Sequence, residues 1–270
     1  DYVYRTLTED VEITQHAVAA NIRGEVAELW AGPLSMAAGV EYRNDATTNV
    51  HDTLSNSFAY FQNFGADYNA DQDVVEGYVE AELPLLTDVA FARSLTLNAA
   101  ARYANYDVSG FGGYNQQPAS NAFDSTTWKL GLVWEPTDWM RLRATVSEDF
   151  RAPNFSELFL ASASTFGSVT NLFITVPPVP PSTTPTNPSE FPVLLNGGNP
   201  VIEPETGHTT TFGVVLQPTA MPGFSFSLDY YDIKVDDYIG NPGGAQNIVN
   251  RCYNGDQDLC SLITFGPANT

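Results

Sequence analysis

Residue types able to bind a metal or act as acid, base or nucleophile are present, but no spacing gathers them. The histidines His16, His51 and His208 are scattered and show no H-E-x-x-H or paired-ligand pattern. There is no G-x-S-x-G elbow, no glycine loop suited to cradling phosphates and no C-x-x-C pair. Carboxylates are so plentiful, at 32 Asp+Glu, that no acid/base dyad can be singled out. The expectation is a protein that is not an enzyme and holds no metal or cofactor. Cys252 and Cys260 bound the polar, turn-rich run Arg251-Cys252-Tyr253-Asn254-Gly255-Asp256-Gln257-Asp258-Leu259-Cys260. With no neighbouring histidine for zinc, a local disulfide formed in an oxidising compartment is favoured over two free thiols.

Binding chemistry is better represented. Tyr60, Phe61 and Asn63 sit in the aromatic run 58–64, and Tyr114 and Asn115 in the glycine-rich run 111–117. Such side chains hold a polar ligand by stacking and hydrogen bonds, and pack equally well against one another as loop fillers. A second set, Arg141, Arg143, Asp149 and Arg151, recurs at even spacing along one stretch and shares one side of a strand.

The elements that position these residues are strands with period-two alternation. Ala20, Ile22 and Val26 begin the first, after a polar stretch to about Val18 in which Thr6-Leu7-Thr8-Glu9 fits a helix-capping box. Leu34, Met36, Ala38, Val40 and Tyr42 mark the second; Val75, Val79, Ala81 and Leu83 the third; Leu95, Leu97, Ala99, Ala101 and Tyr103 the fourth. The clearest hairpin sets Trp128, Leu130, Leu132 and Trp134 before a Pro136-Thr137-Asp138-Trp139 turn, then Met140, Leu142, Ala144 and Val146. The last pairs Phe212, Val214 and Leu216 with Phe224, Phe226, Leu228 and Tyr230. Past Tyr231 the apolar phase passes to Ile233 and Val235, which predicts a bulge or an exit from the sheet. Loops are expected over 44–73, 107–125 and about 152–205, the last with a polyproline run at Val176–Pro181.

Composition limits the partners. A formal charge of −21, from 11 Lys+Arg against 32 Asp+Glu, leaves no basic groove, which argues against nucleic acid. No apolar run reaches the roughly twenty residues of a transmembrane helix. Barrel strands need only about ten alternating residues, so a bilayer remains open as a partner. There is no initiating Met and no signal segment at Asp1, so the chain reads as an excerpt or a processed product.

Eight candidate strands in four hairpins, with connections alternating short and long, are the pattern of a bacterial barrel with short periplasmic turns and long extracellular loops. Trp30, Trp128, Trp134 and Trp139 near strand ends match an aromatic girdle. Two ordered motifs sharpen this. Ser147-Glu148-Asp149-Phe150-Arg151-Ala152-Pro153-Asn154-Phe155-Ser156-Glu157 carries an R-A-P corner, and Asn199-Pro200-Val201-Ile202-Glu203-Pro204-Glu205-Thr206 opens a later strand. Together they resemble signatures of the TonB-dependent outer-membrane receptors. The resemblance implies an all-β, antiparallel, up-and-down transmembrane barrel, of which residues 1–270 are part, with the plug domain and final strands missing from the segment. It implies a receptor in the Gram-negative outer membrane that binds a small, scarce nutrient and is driven through a plug by the TonB energy-coupling protein. Arg141, Arg143, Asp149 and Arg151 would then face the lumen, touching a plug or filling the interior as charge pairs. A passive porin, an outer-membrane barrel enzyme and a secreted β-rich binding domain are the rival readings.

Overall fold

The computed structural model describes residues 6–57, 59–60, 65–175 and 186–266. In chain order the elements are β1 (Glu9–Leu29), β2 (Gly32–His51), α1 (Thr53–Asn56), β3 (Tyr68–Val89), β4 (Ala92–Gly112), β5 (Gln117–Thr137), β6 (Met140–Arg151) and α2 (Phe155–Phe159). Then come β7 (Ala163–Phe166), β8 (Val169–Thr170), β9 (Ser189–Glu190), β10 (Val193–Asn196), β11 (Glu205–Leu216), β12 (Phe226–Asp236), α3 (Ala245–Tyr253) and α4 (Gln257–Cys260). Eight strands form one sheet in the order β1-β2-β3-β4-β5-β6-β11-β12, each antiparallel to its neighbour. Strand order follows chain order, so this is an up-and-down wall, open between β1 and β12, and not a closed barrel. The short strands form two small sheets, β7 with β10 and β8 with β9, inside the excursion between β6 and β11.

Register explains the two faces. Ile22, Ala38, Val79, Ala101 and Trp128 lie side by side across five strands, and Leu97, Leu132 and Ala144 across three. This face is apolar and uncovered: Ile22 is 76% exposed and Val40 63%. An apolar surface of that extent needs a partner, and in a barrel wall the partner is lipid. The opposite face carries Glu76, Tyr78, Glu80, Arg102, Lys129, Arg143 and Asp229, the polar side a barrel turns inward. On it Tyr78 lies over Gly39 and donates its hydroxyl to Asn21 two strands away at 2.9 Å.

At one end three of the connections are two-residue turns, after Leu29, Val89 and Thr137. The indole N–H of Trp30 donates to the Leu85 carbonyl at 2.8 Å and that of Trp134 to Phe91 at 3.1 Å, so adjacent turns are tied together. At the other end the structure departs from the sequence reading. Residues 9–18 continue β1 and form no capped helix; β2 runs on to His51 and β3 begins at Tyr68, leaving a shorter loop than 44–73. The span 107–125 is the paired ends of β4 and β5 around a four-residue turn. No bulge follows Tyr231, since β11 and β12 stay in unbroken register from Thr206/Asp236 to Leu216/Phe226. Beyond the apolar band small polar side chains on the inner face, such as Thr47 and Asn49, are buried in place of apolar ones. Apolar alternation therefore disappears where strand does not. The polyproline run at 176–181 lies outside the described residues.

Hydrophobic packing is concentrated at this second end. Tyr68, Ala70, Val74, Ala104, Tyr106, Val108 and Phe123, inward residues of β3, β4 and β5, close over Leu158 and Phe159 of α2 and Ala161. Val74, Leu158 and Phe159 are fully buried.

Candidate functional site

The site begins where β6 leaves the sheet. Pro153 lacks the N–H that a ladder needs, and Asn154 then caps α2: its Oδ1 accepts from the Glu157 N–H at 2.9 Å while Glu157 Oε2 accepts from the Asn154 N–H at 2.8 Å. This reciprocal box starts a helix of five residues whose buried side chains are Leu158 and Phe159.

Arg151 fastens that turn to the sheet. Its Nη1 and Nη2 donate to Glu157 Oε2 and Oε1 at 2.9 and 3.0 Å, and its Nε and Nη2 donate to Glu205 Oε2 and Oε1 at 2.8 and 3.0 Å. A planar guanidinium is suited to two-pronged pairing of this kind. The R-A-P corner and the Pro204-Glu205 motif thus meet in one ion-pair node. Glu205 Oε1 also accepts the Ile239 N–H at 2.7 Å, bringing the exit of β12 to the same carboxylate.

The node lies above the apolar band, past Val146 and Glu148. Hydrogen bonds from Arg151, then the Ile239 N–H, hold the Glu205 carboxyl down at about 2. Burial pushes Glu157 up, but the Arg151 pairing and the Asn154 N–H outweigh it, leaving its carboxyl below the usual range. Arg151 is correspondingly raised, first by Glu205 and then by Glu157. A carboxyl depressed on folding contributes stability that is intact above its unfolded value, about 4.3, and is lost as pH falls through the folded one. The node is therefore expected to stay closed at pH 5 and to open between about pH 4 and 2. Hydrogen exchange of the Ile239 amide across that range checks this; equal protection at pH 5 and pH 2 would refute it.

The excursion after α2 returns to the β4–β5 turn. The amide of Gly113 donates to the Phe159 carbonyl at 3.0 Å, Tyr114 to Gly198 at 2.9 Å, Gly198 to Leu160 at 2.8 Å and Asn199 to Glu157 at 2.8 Å. Two glycines make this approach possible. Gly112, at φ +144°, would drive a Cβ into the Phe159 carbonyl, and a Cβ on Gly198 would lie 2.5 Å from the carbonyl carbon of Leu158.

The segment after β12 forms a second body. The sulfurs of Cys252 and Cys260 are bonded, with Cα atoms 4.7 Å apart, joining α3 to α4. Thr170 of β8 donates its N–H to Gln246 Oε1 at 2.6 Å, and Gln246 Nε2 donates to the Thr170 carbonyl at 3.3 Å.

The residues singled out in sequence are distributed as follows. Tyr114 and Asn115 are exposed at the tip of the β4–β5 turn; Tyr60 has a buried hydroxyl with no hydrogen-bond partner among the described residues; Phe61 and Asn63 lie outside the described residues. Arg141 pairs with Glu135 at 2.6 Å, Arg143 grips Asp229 with both carboxylate oxygens at 2.8 Å, and Asp149 accepts from the Ser147 hydroxyl at 3.1 Å. These contacts fall within the wall itself. Among the described residues no group of three His, Cys, Asp or Glu side chains is placed to hold a metal. Sequence reasoning missed Phe159, Gln246 and the pairing role of Glu157 and Glu205. The N-x-x-E spacing of Asn154 and Glu157 was a usable signal for the cap; nothing local marked the other partners.

A sequence profile of the family described as "TonB dependent receptor-like, beta-barrel" matches residues 2–258. The chain is 24% identical to the hemin receptor of Yersinia pestis over 267 residues, covering 95% of this chain and 36% of that protein. It is 28% identical to the heme/hemopexin utilization protein C of Haemophilus influenzae over 159 residues, covering 56% of this chain and 20% of that protein. It thus spans about a third of the first relative's length and a fifth of the second's. Among solved structures it superposes on the Serratia marcescens hemophore receptor HasR, in complex with its hemophore HasA and heme, with a TM-score of 0.55. That match has 15% identity and covers 85% of this chain and 34% of the other, a likeness of fold. With the profile matched along nearly the whole chain and the wall running in its up-and-down order, the chain belongs to the TonB-dependent receptor-like β-barrel family.

Proposed function

We propose that these residues form part of the wall and extracellular cap of a Gram-negative outer-membrane receptor that imports a scarce nutrient by TonB-coupled transport. The observation that carries the reading is the asymmetry of the wall: tight turns at one end, and at the other an excursion after β6 whose α2 packs onto the inward residues of β3, β4 and β5. A static wall cannot concentrate solute, so uphill import needs energy delivered to a plug that this wall would surround. The apolar face then meets lipid, and the paired arginines stiffen the inner face against the plug. The named relatives support a heme-like compound as the first cargo to test. No catalytic role is assigned to any residue.

The intact receptor, expressed in a Gram-negative host that cannot make heme and lacks its own heme receptors, is expected to restore growth on hemin. Deleting TonB should abolish that growth. Equal growth without TonB would mean a passive pore, and no growth on hemin, with growth of an iron-starved or cobalamin-requiring host on a ferric siderophore or cobalamin, would replace the cargo.

A further inference from the structure

The outer part of the excursion between β6 and β11 is held by side chains of the segment after β12. On one edge of β8, Thr170 pairs in register with Ser189 of β9, and the next residue, Asn171, donates its N–H to the Pro188 carbonyl at 2.9 Å. On the other edge the Gln246 amide takes the place of a strand, accepting the Thr170 N–H at 2.6 Å and donating to the Thr170 carbonyl at 3.3 Å. Three residues on, Phe173 lies edge-to-face with Tyr253 at a ring-centroid distance of 5.5 Å and with Phe265 at 5.3 Å.

These three partners flank one covalent bond. Gln246 and Tyr253 belong to α3, Phe265 follows α4 by five residues, and Cys252 and Cys260 join the two helices. α3 has nine residues, makes no side-chain cap at Gly244 and buries only Cys252, which is 4% exposed. A helix that short is marginal by itself in water. The charged side chains around the bridge add little. Arg251 donates to Asp256 at 2.6 Å with its own side chain more than half exposed, and Asp258 lies in the first turn of α4. A cross-link between residues eight apart restricts the open chain far more than such a pair can.

We propose that the Cys252–Cys260 bridge is a redox strap for the other excursion, which contains no cysteine of its own. Formed, it fixes Gln246, Tyr253 and Phe265 against Thr170 and Phe173. Opened, it releases the stretch around β8, while the base stays fastened through Phe159 and the Arg151–Glu205 pairing. The inference goes beyond the uptake reading and does not depend on the cargo. A dithiol opens the strap in two steps. Its thiolate attacks the sulfur of Cys260, the less buried of the two residues, the Sγ–Sγ bond breaks, and Cys252 leaves as a thiolate that takes a proton from water. The second thiol of the reagent then displaces Cys260 and closes its own disulfide, so two electrons pass from the dithiol to the bridge.

The test uses the intact receptor in lipid nanodiscs with and without dithiothreitol, the two freed thiols being counted by mass spectrometry. Hydrogen exchange at the Thr170 and Asn171 amides is expected to quicken at least about tenfold on reduction and to return when the bridge is re-formed. The amides of Gly113, Tyr114 and Gly198, which bond at the base, should keep their protection. A Cys252→Ala/Cys260→Ala variant should exchange like the reduced receptor and ignore the dithiol. Unchanged exchange at Thr170 and Asn171 with both thiols free would overturn the proposal. So would equal loss at the three base amides, which would make the bridge a support of the whole excursion, or a response of the alanine variant to dithiothreitol, which would place the sensitive bond elsewhere.

Discussion

Phe159→Ala is expected to release the excursion from the wall while leaving the eight strands in place. Phe159 is fully buried, and it packs with Leu158 and Ala161 against Tyr68, Val108 and Phe123, a cluster supplied by β3, β4, β5 and the excursion itself. Truncating a buried phenylalanine costs about 3–5 kcal/mol, the sum of lost transfer energy and the cavity left behind. Here that loss falls on a local docking event and not on global unfolding, because the ladder from β1 to β12 does not pass through α2. The amides of Gly113, Tyr114 and Gly198, which bond across the docked interface, should exchange at least about a hundredfold faster in the variant. Amides of residues 140–146, in the middle of the sheet, should be unaffected. If the three interface amides kept their native protection, α2 could not be what holds the excursion down.

Leu132→Arg carries the second large effect. Leu132 sits on the uncovered face between Leu97 and Ala144, near the middle of the span from Trp128 to Trp139. A charge at the bilayer midplane on the lipid face of a barrel costs about 2–4 kcal/mol. The intact receptor should therefore assemble poorly, measured as the yield of folded protein extracted from outer membranes. Ser35→Arg is the matched control on the inner face. Ser35 pairs in register with Glu25 and Glu82, so a guanidinium there meets carboxylates and water. Its yield is expected to equal the native one. Equal losses in both variants would mean that the two faces have been assigned the wrong way round.

The contrast between these two substitutions separates what could be read from residues alone. Leu132 was legible because lipid imposes a strict rule on every second residue. Trp128, Leu130, Leu132 and Trp134 obey it without reference to any distant part of the chain. The same rule located the other seven strands of the wall and the tight turns around Trp30 and Asp138. Phe159 was not legible, because its burial depends on β3, β4 and β5, whose contributing residues lie some tens of positions upstream. Likewise Tyr114 and Asn115 read as ligand contacts from composition. In the fold the backbone of the turn that bears them docks on Phe159 and Gly198, a role composition could not show, while both side chains stay exposed.

Residue order alone determined the all-β class, the hairpin alternation, the lipid-facing residues and the two motifs at Arg151 and Glu205, since each follows from local periodicity or from a short fixed string. Tertiary structure decided the remainder. It showed that the two motifs are one ion-pair node, that strands continue beyond the apolar band, and that Phe173 meets Tyr253 and Phe265 across two excursions. The physical reason is the range of the forces involved. A uniform solvent such as lipid selects residues one at a time and leaves a repeating mark in sequence. An ion pair or a ring contact selects a partner at any separation along the chain, and only folding reveals which one.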